Sequence, residues 1–203
     1  MSNTAALQMF QQERTRLEKE NRVLQAEVLT LRQYVQLLAE LYRVGQQIAT
    51  IENVWNTLDQ LLFNVIKVIG ASDGSLSRLD AATGELEFLL VQGGIRQQLP
   101  GYRIKSDVGV AGWVLSEGKP QIVNNPGQDW RFSLQVDQEF KFLTKSILGV
   151  PVMYQNRPIG VIQILNKQQG DFSETDVTLV SVLGQVVGLA LAELALRAKA
   201  EAE

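Results

Sequence analysis

The sequence predicts an α+β chain: a parallel coiled-coil helix followed by a domain with a central antiparallel sheet. Helices cover one sheet face and a loop-rich side covers the other. Three observations predict it. Residues 7–45 carry an unbroken heptad repeat. A loosely alternating stretch at 74–79 and a strand signal at 85–91, then two apolar strands at 146–154 and 159–166, are joined in pairs by short turns. Hairpin-joined strands make an antiparallel sheet. Helical patterns flank them at 51–69 and from Ser173 to about Ala200.

In the heptad, Leu7, Arg14, Asn21, Val28, Val35 and Tyr42 fall at position a. Phe10, Leu17, Leu24, Leu31, Leu38 and Gly45 fall at d. Steps alternating three and four keep one seam in contact between two helices. Leucine at d with valine at a favours two parallel strands. Asn21 sits alone in that seam. In a parallel, in-register dimer it meets its own copy and can hydrogen-bond to it; in other registers it is a buried polar group without a partner. The expected zipper interface is Leu17, Asn21, Leu24, Val28, Leu31, Val35 and Leu38.

The heptad decays after Tyr42, since Ala49 and Glu52 would be the next a and d. A second helix near Ile51 to Ile69 puts Val54, Leu58, Leu61, Leu62, Val65 and Ile69 on one face, and Gly70 follows as its cap. Asp80 to Gly84 is the first hairpin turn and Gln155 to Pro158 the second. Between the hairpins, 94–144 reads as an excursion of loops and short helices, with a glycine-containing approach at 108–114 into a short helix ending near Gly118 and a short strand at 121–123. Ser173 caps the last helix, with Asp176 three residues on. That helix is apolar almost all round from Val177 to Leu191, so it must be covered on two sides. Its stripe at Val180, Leu183 and Val187 is expected at a dimer seam, with Gly184 and Gly188 allowing close approach of helices. The expected organisation is a coiled coil at 1–43, the domain at 44–196, and 197–203 as a continuing signalling helix or a terminus.

Composition excludes several functions. The chain has 203 residues, 45% of them hydrophobic, and a net charge of −3. Its charges are mixed, so no basic stripe exists to track nucleic acid. No signal-peptide pattern is evident and no apolar run is expected to span a bilayer, which reads as no membrane partner and a cytoplasmic protein. Cysteine and histidine both number zero. That removes thiolate nucleophiles, disulfides, Ser–His–Asp triads and His-ligated metals. No cofactor is implied. Asp107, Asp129 and Asp137 sit in separate loops without metal-ligand spacing, so the expectation is not an enzyme.

Several segments, in order, resemble the GAF domains of cyclic-nucleotide phosphodiesterases, adenylyl cyclases and phytochromes. They are Asp107-Val-Gly-Val-Ala-Gly112, Asp129-Trp-Arg-Phe132, Val136-Asp137, Thr144 to Pro151, and Gly160 to Lys167 followed by Phe172 and Asp176. The resemblance covers about Leu41 to Leu196. It implies a dimeric regulatory module in series with coiled-coil helices and an output domain or partner protein. It places a small-molecule pocket at Ser75, Gln92, Val110, Ala111, Asp137, Phe140, Thr144 and Gln163.

The chain departs from the cyclic-nucleotide branch of that family at three places. Val177 stands for a Glu, Phe140-Lys141 for a Thr-Gly pair, and Gln163 for an acid on the strand before Asn166-Lys167. Losing such donors leaves a buried phosphate short of hydrogen bonds. Asn166, Lys167 and Asp176 also have a purely structural use, fastening the last strand to the last helix. Two functions follow: a dimeric sensory module coupling the pocket to its helices, or a ligand-free adaptor whose pocket is filled by Phe140, Phe142 and Leu143.

Overall fold

The computed structural model describes residues 2–48 and 53–200. The side chain of Leu7 and residues Ala49, Ile51 and Glu52 lie outside the described residues. The chain divides into two compact units, 1–36 and 37–203, rather than at residue 43. The reason is burial: Leu37, Leu41 and Val44 belong to the second unit's core.

The first unit is a single helical segment, the main part of α1 (Ser2–Gln47). Its d positions Phe10, Leu17, Leu24 and Leu31 and its a position Val28 are exposed, Leu17 and Leu24 each at 54%. Asn21 is exposed among them.

The second unit is built on a six-stranded sheet ordered β3-β2-β1-β6-β5-β4. The strands are β1 (Ala71–Asp80), β2 (Glu85–Gln92), β3 (Arg103–Lys105), β4 (Gln121–Val123), β5 (Ile147–Tyr154) and β6 (Arg157–Lys167). Every pairing is antiparallel. The second hairpin closes more tightly than its sequence suggested. Gln155 and Asn156 both take positive φ, and Tyr154 already pairs with Arg157, the two-residue turn whose twist suits a hairpin.

Two helices cover one sheet face. In α2 (Val54–Ile69) the expected apolar face is buried, with Ile66 added to it. Asn53 caps its start by accepting from Asn56 N–H, and Gly70 ends it at φ 74. There its N–H reaches the carbonyls of Ile66 and Lys67, the left-handed cap that glycine adopts without strain.

The second covering helix is α5 (Glu174–Ala200). It lies on the sheet of its own chain, and this corrects the interface expected of it. Val180, Leu183 and Val187 are at most 2% exposed within the single chain, so they are already core. Gly184 and Gly188 serve the same contact: a Cβ at Gly184 would stand 2.9 Å from the Pro151 carbonyl oxygen, and one at Gly188 would collide with that of Met153. The glycines admit a strand, not a partner helix. A three-four stripe looks the same whichever surface it meets. The stretch Glu174–Ala198 is also long and apolar enough to cross a membrane, contrary to expectation, but half of it is buried, as in a core helix.

The other face carries the excursion. It holds α3 (Gly109–Glu117), a 3-10 turn at Pro126–Gln128, and α4 (Gln135–Phe140). Neither β3 nor α4 was expected. β3 has three residues and exists by pairing with β2, Ile104 opposite Leu86. α4 is barely more than one turn.

Candidate functional site

The site begins with the alternation of β1 and β6. Along β1, Leu76 points to the helices. Asp73 and Ser75 point the other way, onto the face under α3 and α4, with Ser75 directly opposite Gln163 of β6. The first strand pair sets Gly74 opposite Gln92 of β2. Gly74 faces α2, so Gln92 opposite it turns its side chain to the helices and borders the cavity from the strand end. Register therefore collects a polar floor from two adjacent strands, Asp73 and Ser75 of β1 and Gln163 of β6, where the core would otherwise demand apolar side chains.

Above this floor is a cavity of about 80 Å³, several times the roughly 10–15 Å³ that one water needs. Its roof comes from Val108 to Ala111 at the start of α3, and from Phe132, Val136 and Phe142 in and around α4. Phe88, Val91, Ile95, Leu99 and Ile104 close the β2–β3 side. These apolar walls continue into the buried cluster that holds Val114 and Leu115 of α3.

Of the residues expected at a pocket, Ser75, Gln92, Val110, Ala111, Asp137, Thr144 and Gln163 line this cavity. Phe140 does not. Its ring packs edge-on against Tyr102, centroids 5.0 Å apart, outside the lining. Leu143 is 66% exposed, so neither fills the space; Phe142 alone of that trio lines it. Phe140 closes α4, and Lys141 follows as a left-handed cap at φ 52. A turn at that spot aims Phe140 at Tyr102, which the sequence pattern does not show.

The polar lining is ordered by internal bonds. Asp137 accepts from Thr144 twice, at Oδ2 from the backbone N–H (2.8 Å) and at Oδ1 from Oγ1 (2.7 Å). This pair closes α4 back onto the strand that follows. Gln92 donates Nε2 to Asp59 Oδ1 of α2 at 2.6 Å, and Arg96 holds the other Asp59 oxygen at 2.7 Å. One cavity residue is thereby tied to a helix on the opposite sheet face.

Asp73 was not anticipated. It is 8% exposed and accepts from the Ser72 hydroxyl, from Gly94 N–H at 2.9 Å and from Asn166 Nδ2 at 3.2 Å. The signal for it was its period-two spacing from Ser75 and Ser77.

The Asn166–Lys167–Phe172–Asp176 pattern proves largely structural. Lys167 Nζ pairs with Asp176 and stands over the Phe172 ring. Asp176, 1% exposed, accepts from Ser173 N–H and Oγ, and the Asp176 N–H donates back to Ser173 Oγ. That is a reciprocal cap on α5. Asn166 turns the other way. At φ 60, it accepts Lys145 N–H at 2.7 Å and donates to Leu143 O at 3.1 Å and to Asp73.

Asp129 is gripped by Arg131 at 2.9 and 2.6 Å, and the Arg131 guanidinium lies 4.8 Å from the Trp113 ring centre. Hydrogen bonding to Arg131 holds the Asp129 carboxyl below its usual range. Asp129 and Asp137 are thus committed to different partners.

A family model described as "GAF domain" matches residues 54–192. The chain belongs to the GAF domain family. The GAF domain is a regulatory and sensory module, and its match spans the sheet, the cavity and most of α5. Over 112 residues the chain is 32% identical to a probable 3',5'-cyclic phosphodiesterase, pde-5, of Caenorhabditis elegans. Over 103 residues it is 33% identical to the dual 3',5'-cyclic-AMP and -GMP phosphodiesterase 11 of Drosophila melanogaster. The matches take in 55% and 50% of this chain but only 15% and 7% of those two proteins.

Among solved structures, the GAF domain of a phosphoenolpyruvate-protein phosphotransferase from Coxiella burnetii superposes with a TM-score of 0.68 at 22% identity, covering 83% of this chain and 98% of that one. A free methionine-R-sulfoxide reductase from Neisseria meningitidis superposes at 0.64 and 19% identity, over 79% and 89%. At these identities the likeness is one of fold. The reductase shows that some proteins of this fold are enzymes.

Proposed function

We propose that this chain is a non-catalytic, dimeric regulatory module. It binds a small molecule in the cavity between sheet and α3–α4 roof and passes the event to its helices. The observation that carries this reading is the cavity's floor: polar side chains from two adjacent strands, Asp73 and Ser75 of β1 and Gln163 of β6, set inside otherwise apolar walls. Specific small-molecule sites combine apolar walls with a few convergent polar groups in this way. The absence of cysteine and histidine from the whole chain supports a binding role over a catalytic one.

Dimerisation is supported by the exposed seam at Leu17, Leu24, Val28, Leu31 and Val35, a stripe that a second copy would cover. The partner is a second copy in parallel register, and the working compartment is the cytoplasm. An output domain or partner protein would receive the signal from the helices, along the route that the Gln92–Asp59 bond opens from cavity to α2.

Two measurements test this. Native mass spectrometry of the protein as purified, and after incubation with a metabolite library, should give a defined adduct that Ala111→Phe abolishes, since Ala111 lines the cavity and the larger side chain would occupy it. Failure to find any saturable adduct would count against the sensory reading. In parallel, Leu24→Cys should cross-link between subunits within minutes under oxidation. No cross-link would remove the parallel dimer.

A further inference from the structure

The cavity's charge narrows its ligand. No lysine or arginine lines it, whereas Asp73 and Asp137 both do. Asp73 is in no ion pair among the described residues. A carboxylate has about four acceptor sites, and three donors occupy Asp73, two Asp137, so each keeps acceptor capacity.

An independent observation lies beside Asp73. Ser75 is 5% exposed and its hydroxyl has no hydrogen-bond partner among the described residues. No fully enclosed side-chain polar atom there is left unsatisfied, so that hydroxyl opens on the cavity it lines. The side-chain amide of Gln163, opposite Ser75, is likewise without a hydrogen-bond partner among the described residues. Both groups are therefore open to a hydrogen bond with a molecule in the cavity.

The one feature favouring an anion is the start of α3, which carries no side-chain cap and borders the cavity. A helix N-terminus is equivalent to about half a positive charge. Two carboxylates outweigh it, and in a partly dry cavity their field is screened less than in water.

We propose that the cavity takes a small amphipathic cation: a protonated amine held at Asp73, Ser75 and Gln163, with an apolar body against Phe88, Phe132 and Phe142. This rests on the reading of the cavity as a ligand site and adds its charge selectivity.

Three probes sharing one body test it on the full chain: 2-phenylethylamine, 2-phenylethanol and phenylacetate. Binding is followed by the amide resonances of Gly94 and Thr144, whose N–H groups bond the two carboxylates. The amine should bind at least tenfold more tightly than phenylacetate, with the alcohol between. Asp73→Asn should bring the amine to the level of the alcohol. Because Asp73 also holds Gly94 and Asn166, Gln163→Lys provides a second variant, on a half-buried side chain; it should weaken the amine and strengthen phenylacetate. Equal or tighter binding of phenylacetate or the alcohol by the parent protein overturns the charge selectivity and leaves the ligand site standing. Absence of saturable shifts with all three probes overturns both.

Discussion

Replacing Gly188 by alanine sets two effects against each other, and the structure says which wins. In a helix interior, alanine is favoured over glycine by about 0.5–1 kcal/mol. At Gly188 the added methyl would meet the Met153 carbonyl oxygen, a backbone atom near the hairpin end of β5. It cannot rotate aside, so α5 must lift from β5. Overpacking of that kind costs about 1–3 kcal/mol, leaving a net loss of up to about 2.5 kcal/mol.

Gly45, in the C-terminal turns of α1, is the matched control. Its nearest neighbour to a new Cβ is Val186 Cγ2 at 3.5 Å, an ordinary contact. Gly45→Ala should therefore stabilise by about 0.5–1 kcal/mol. Urea denaturation of both variants and the parent, at one protein concentration so that association is held fixed, reads the difference. In thermal melts each kcal/mol should move the midpoint by about 2–4 °C for a chain of this size. If Gly188→Ala is stabilising to the same degree as Gly45→Ala, α5 does not lie with Gly188 against β5, and the assignment of Val180, Leu183 and Val187 to the core falls with it.

Lys141 occupies a left-handed position at φ 52, so Lys141→Gly should raise stability by about 0.5–1 kcal/mol in the same assay, whereas Lys141→Val should lower it. Arg131 holds the Asp129 carboxyl below its ordinary value. The stability from that pair is therefore fully present above the unfolded value near pH 4 and fades as pH falls through the lowered folded value. Asp129→Asn should lower the melting midpoint at pH 7, with the gap to the parent closing in acid; a gap that stays constant to pH 2 would refute the assignment. Cyclic AMP and cyclic GMP should bind more weakly than about 1 μM by calorimetry, or roughly −8 kcal/mol, because no cation lines the cavity and Phe140-Lys141 and Gln163 replace the donors and acid of that branch. A tighter constant for either nucleotide would contradict both arguments.

The two hairpins, the caps at Gly70 and Ser173–Asp176, and the buried face of α2 were legible because each is decided by residues close in sequence. Seven cavity residues were legible through resemblance: Ser75, Gln92 and Gln163 on strands, and Val110, Ala111, Asp137 and Thr144 on the segments that cover them. What was hidden depends on distant surfaces. β3 has too few residues to show a period and is held by β2. Phe140 was misplaced because a one-turn helix and its left-handed end set its direction. The α5 stripe was assigned to a partner because periodicity reports that a face is covered and not by what. Asp73 escaped notice because it stands just before the strand expected at 74–79, which in the structure begins at Ala71.

Asn166 holds Lys145 N–H with one end of its amide and Asp73 with the other. The segment descending from the α4 roof and the floor of the cavity are therefore latched by a single side chain. Lifting the roof would break the hydrogen bond that the Lys145 amide donates to Asn166. Deuterium uptake at that one amide thus keeps time for the whole enclosure, and its slowing would report occupancy even by a molecule that touches neither Lys145 nor Asn166.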